Sequence, residues 1–94
     1  MRLIVQKYFP LFVQKYIAIY ISIGYNLRKL RKASNLTQEQ VVAQLQLRNL
    51  PTSRSIYSQI ESGTYNIRIS ELIALAEIFH TDFNTIFNGL IQNK

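Results

Sequence analysis

The stretch "RSIYSQIES", residues 54–62, carries hydrogen-bonding side chains at a spacing suited to reading base edges. With Tyr57 and Ile60 turned inward, three apart on one helical face, Arg54, Ser55, Ser58, Gln59 and Ser62 share the opposite side. In a major groove, Arg suits the paired acceptors of guanine and Gln suits the acceptor–donor pair of adenine, while Ser reads either. By itself such a row is equally an ordinary solvated helix surface. Its neighbours shift the balance. Arg28, Lys29, Arg31, Lys32, Arg48, Arg54 and Arg68 stand against only Glu39 and Glu61 over residues 24–68. That excess suits a polyanion.

Other chemistry finds little material. The chain has 94 residues, no Cys, one His and three Gly, so thiolate ligands, disulfides and Gly-rich phosphate loops are ruled out. His80 closes the apolar run "LIALAEIFH", where it suits a helix C-terminal dipole better than a metal or a proton-transfer role. The acids Glu39, Glu61, Glu71, Glu77 and Asp82 show no close pairing in sequence, and one His with scattered carboxylates builds no zinc set. The expectation is a non-enzyme with no cofactor and no metal. Hydrophobic residues are 48% and charged residues 17%, with a net charge of +6, which describes one small folded basic domain rather than a disordered chain.

The elements that must position the row follow from caps and periodicity. "YNLRKLRKASN" predicts a basic first helix closed by Asn35 in the left-handed conformation. In "LTQEQVVAQLQL", Thr37 caps a second helix and Gln40, three residues on, completes a capping box; Val41, Val42 and Leu45 form its inner face. A third helix runs from Ser53 to about Ser62 and stops at Gly63. A fourth starts at Ser70 and carries Leu72, Ile73, Leu75, Ala76 and Phe79. A fifth starts near Asp82 with Phe83, Ile86 and Phe87 and ends at Gly89. The expected core is Leu27, Leu30, Val41, Leu45, Ile60, Leu72, Ala76, Phe79 and Phe83.

Three segments together, "IGYNLRKLRKASNLTQEQVVAQL", "SRSIYSQIESG" and "SELIALAEIFHTDFNTIF", resemble the lambda-repressor-like, or xenobiotic-response-element type, helix-turn-helix family. The resemblance implies an all-α, five-helix DNA-binding domain over residues 23–90. An apolar N-terminal extension, residues 1–22, would precede it, and a tail, residues 91–94, would follow. It further implies that Arg54, Ser55 and Gln59 face base edges, to which the polar face read above adds Ser58, and that Gln38 bonds a phosphate beside the N-terminus of the second helix. Arg31 and Glu61 would form the ion pair tying the first helix to the end of the third. Thr37, Thr64 and Asn66 would approach the DNA backbone. The implied partners are double-stranded DNA and a second copy of the chain. The implied role is a bacterial or phage transcription regulator of repressor type, cytoplasmic and nucleoid-associated. The rival reading is a protein-interaction or antitoxin-like module on the same fold.

Two stretches depart from a simple pattern. Between the second and third helices the turn is about five residues too long, Arg48 to Thr52. The sequence predicts a second helix running to Leu47 or Arg48, closed by Asn49 and blocked by Pro51, with Ser53 capping the next. Arg48 would be placed for an extra phosphate contact. At the N-terminus, isoleucines occupy every second position from Ile17 to Ile23, which reads as strand. Residues 1–22 suit a leader without fixed structure, a dimer contact, a membrane-touching segment or a secretion signal, and the sequence leaves these open.

Overall fold

The computed structural model describes residues 11–90, with side chains described from residue 18 onward. Five helices follow one another: α1 (Leu11–Ala33), α2 (Gln38–Leu47), α3 (Arg54–Ser62), α4 (Ile69–Ile78) and α5 (Phe83–Ile86). No strand occurs among the described residues. Among the described residues the fold is all-α with five helices, as the sequence predicts. Residues 1–10, the first part of the N-terminal extension, and 91–94, the tail, lie outside the described residues.

The strand expected over Tyr16–Ile23 is overturned: that stretch is the middle of α1, which continues unbroken into the basic helix. Alternating isoleucines fit a strand only where a neighbouring strand takes up the backbone hydrogen bonds, and α1 satisfies its own. The longer-range spacing Ile23, Leu27, Leu30 then decides the face. Ile23 and Leu27 are buried and Leu30 packs against the core.

Four helix ends close in the same way. Residues in the left-handed conformation, Asn35 (φ 59), Asn49 (φ 65), Gly63 (φ 82) and His80 (φ 52), each let their own amide and the next one turn back to the last carbonyls. At α2, Asn49 N–H donates to Gln46 O at 2.9 Å and Leu50 N–H to Leu45 O at 3.1 Å, a Schellman closure. His80 therefore acts through its backbone, and its side chain is exposed.

The starts are capped by Thr37, Ser53 and Asp82, as the sequence predicts. The exception is α4. It begins at Ile69, one residue before the expected cap Ser70, and Arg68 occupies the cap position without a side-chain bond. Glu71 supplies the missing half, accepting from Arg68 N–H at 2.9 Å.

The core centres on Leu27, Val41, Leu45, Tyr57, Ile60, Leu75 and Ile86. Phe83, expected inside, is 45% exposed, and Ile86 takes the buried position of α5 at 0%. Asn26 accounts for the choice. Buried on α1, its amide donates to Ile86 O at 2.7 Å and to Asn88 O at 3.0 Å, fixing the roll of α5.

α1 packs on α3 with nothing between them at Gly24. A Cβ there would meet the backbone carbonyls of Ile60 and Glu61. Gly63 similarly lies against the backbone of Ile21. Alanine at position 24 would gain about 1 kcal/mol of helix propensity, but prising two packed helices apart costs about 1–3 kcal/mol or more. Gly24→Ala is therefore expected to lower the melting temperature by several degrees. An equal or higher midpoint in thermal unfolding would show that the helices do not meet there.

Candidate nucleic-acid interface

The site is assembled around one buried carboxylate. Glu61, on the last turn of α3, accepts from Arg31 Nε at 2.6 Å and from Arg31 Nη2 at 3.2 Å. Arg31 Nη1 donates to Leu36 O at 3.0 Å, in the turn between α1 and α2. The pair is well sheltered, with the side chains 12% and 5% exposed. Arg31 and Glu61 thus come together as the sequence resemblance implies, joining α1 to the end of α3.

Gln38 extends this pair to the surface. Its Nε2 donates to Glu61 Oε1 at 2.9 Å, and its Oε1 accepts from Arg54 Nε at 2.8 Å. Arg54 Nη1 also donates to Glu39 Oε2 at 2.6 Å. A continuous chain of hydrogen bonds therefore runs from α1 through the end of α3 and the start of α2 to the first residue of α3. Thr37 hydroxyl accepts from Gln40 N–H at 3.1 Å, and Gln40 Oε1 accepts from Thr37 N–H at 2.8 Å, so the helix start beside Gln38 is pinned.

The rest of α3 presents the expected faces. Tyr57 and Ile60 are buried at 0% and 2%, while Arg54, Ser55, Ser58, Gln59 and Ser62 are exposed. Ile56, half-buried, packs against the core. Ser62 and Thr64 hydroxyls lie 3.0 Å apart at the end of the row, and Asn66 is exposed just beyond. A cleft of about 290 Å³ opens beside α3, lined by Arg28, Arg31, Gln38, Ser58, Glu61 and Ser62. Arg28 was one of several basic residues without a distinct role in the sequence, and the fold sets it at this cleft.

Arg48 does not join this cluster. It sits at the far end of α2, where Nε lies 3.3 Å from Glu77 Oε1 and Nη1 donates to the Gln44 carbonyl and side chain at 3.1 and 3.0 Å. Glu39 as a partner of Arg54 had no sequence signal, because fifteen residues and an unusual turn separate the two.

The electrostatics follow from the geometry. Burial alone would raise the Glu61 pKa; the Arg31 fork, together with Tyr57 and the Gln38 amide, outweighs it and holds the carboxyl below the usual glutamate range. The Tyr57 phenol is pushed well up, chiefly by burial and then by the nearby Glu61 carboxylate. Asp82, exposed, is lowered by capping Thr85.

A helix-turn-helix domain family matches residues 24–90. No curated protein and no solved structure matches the chain significantly. No helix among the described residues is long and apolar enough to cross a membrane.

A carboxyl with a depressed folded-state pKa stabilises the fold above its unfolded value, 4.5 for glutamate, and that contribution is lost as pH falls through the folded value. Stability is therefore expected to drop below about pH 4.5. Glu61→Gln should reduce this acid dependence, with Asp82 still contributing to it. Glu61→Ala should cost about 3 kcal/mol at neutral pH by stranding Arg31. Melting temperatures equal to those of the unsubstituted protein at every pH in this range, in both variants, would show that the pair does not hold α1 to α3.

Proposed function

The chain belongs to the helix-turn-helix domain family, and from that premise we propose that it binds double-stranded DNA sequence-specifically and regulates transcription as a repressor of bacterial or phage type. The observation that carries this reading is the two-sidedness of α3. One face is locked into the core by Tyr57 and Ile60, and the other offers Arg54, Ser55, Ser58 and Gln59 to solvent. A rigid helix with a donor-rich free face suits a major groove, which admits one helix. Arg54, Ser55, Ser58 and Gln59 contact bases. Thr37 and Gln38, at the positive end of α2, and Thr64 and Asn66, after α3, contact phosphates. Arg28 at the cleft adds a positive charge on the same side, and Arg48 contacts a phosphate only by leaving Glu77. Phosphate contacts supply affinity and α3 supplies specificity.

The protein acts as a homodimer on a two-fold site and works in the cytoplasm, on the nucleoid. Residues 23–90 carry the DNA-binding function. A second reading, a protein-interaction or antitoxin-like module, draws on a separate feature. Ile69, Leu72, Ile73, Phe83 and Phe87 line an apolar groove of about 200 Å³ on α4 and α5. A protein partner would suit it.

Selection of bound sequences from a randomised duplex pool separates the two. Enrichment of a palindrome is expected, and no enrichment at low salt would favour the protein-partner reading. On the enriched duplex, Gln59→Ala should weaken binding by about 1–3 kcal/mol and relax preference at one base position. Asn66→Ala should weaken binding to all sequences alike. Identical behaviour of the two variants in a binding titration would show that α3 does not enter the groove.

A further inference from the structure

We propose that Glu39 is a specificity-determining positioning residue, which braces Arg54 for the base it reads. The inference rests on Arg54 being a base-reading residue, as proposed above. The contact itself is unusual for its place. Glu39 is an acid on the side of the protein that would meet phosphates, and its side chain is 67% exposed against 54% for Arg54. A pair this open adds little to fold stability, so its value to the fold does not explain it. An acid in the first turn of α2 does favour the helix through its dipole, but that effect needs no contact with Arg54.

The contact geometry is what a brace requires. Arg54 Nε donates to Gln38 at 2.8 Å and Nη1 to Glu39 at 2.6 Å. Gln38 is itself fixed by Glu61, which is fixed by Arg31. The guanidinium is thus held from two directions by groups anchored in the core and in α2. Both N–H groups of Nη2 and the second of Nη1 have no partner among the described residues. They can supply the paired donors that guanine O6 and N7 need. An unbraced arginine is a flexible chain that must lose rotamer freedom on binding and can turn instead to the nearest phosphate. The Glu39 charge acts against that alternative, because it keeps the guanidinium occupied on the protein side and repels phosphate. Glu39 therefore raises discrimination at one base pair and adds no affinity for DNA in general.

The experiment is a double-mutant cycle, read as position-by-position base preference from the randomised duplex pool, with binding to a mixed-sequence duplex measured alongside. Glu39→Gln should cut preference at a single position about tenfold, part of the roughly 5- to 150-fold a good bidentate pair provides. Binding to the mixed-sequence duplex should stay level or tighten. In the Arg54→Ala background, Glu39→Gln should change base preference no further. Glu39→Gln shifting all sequences alike would overturn the brace and leave a plain charge effect. An effect that persists without Arg54 would also overturn it, since Glu39 would then touch the DNA itself. Arg54→Ala leaving every base preference intact would instead overturn the reading of Arg54 and, with it, this proposal.

Discussion

The Glu61 carboxylate is the point on which the rest of the molecule depends. It is buried at the end of α3, and an unpaired charge there would be costly. Arg31 from α1 and Gln38 from α2 satisfy it, and the buried Tyr57 phenol is close enough to act on it. Three helices are thereby obliged to meet at one point with defined rotations. The close approach of α1 and α3 at Gly24 lies two turns of α1 away from Arg31 and serves the same junction. Apolar packing among Leu27, Val41, Leu45, Ile60 and Leu75 supplies most of the driving force. It is less directional, and the charged junction sets the orientation.

The long turn between α2 and α3 is compatible with this arrangement because it is tied at several points. Asn49 closes α2, Leu50 packs against the core, and Ser53 caps α3 by accepting from Ile56 N–H at 3.1 Å. Thr52 is buried and donates to Glu71 Oε2 at 2.7 Å. Glu71 uses its other oxygen on the start of α4, so one carboxylate fastens the turn to the next helix. Extra residues in a loop cost little entropy, and here they are anchored rather than loose. α3 is consequently held at both ends, by the Ser53 cap and the Thr52 bond before it and by the Glu61 junction after it.

The surface consequence is a coupled one. Gln38 touches both the buried pair and Arg54, so the outermost side chain of the polar row is wired to the innermost charge of the fold. A rigid base-reading face discriminates better than a flexible one, because less freedom remains to be lost on binding. The serines and Gln59 farther along α3 are exposed, and their hydrogen-bonding groups remain available to a partner. One end of the row is pre-set and the remainder is adaptable.

Much of this was legible in the sequence where the governing interactions are local. Thr37 with Gln40, Ser53, Asp82, Asn35, Asn49 and Gly63 mark helix ends through bonds spanning three to five residues, so their positions are fixed by short sequence patterns. The inward face of α3 follows from the spacing of Tyr57 and Ile60, and the Arg31–Glu61 pair follows from resemblance. What remained hidden depends on contacts distant in sequence. The alternating isoleucines satisfy a strand's period as well as they fill a helix, and only the fold around α1 supplies the face that Ile23 and Leu27 bury. Phe83 and Ile86 are both plausible core residues, and Asn26, sixty residues before Ile86, decides between them. Arg54 is a free cation in the sequence, as is Arg48. Their pairing with Glu39 and Glu77 exists only because folding brings the start of α3 to the start of α2, and the end of α2 to α4. Local hydrogen bonding writes the helices into the sequence, whereas the partners of exposed charges and the roll of each helix are set by packing across the whole chain.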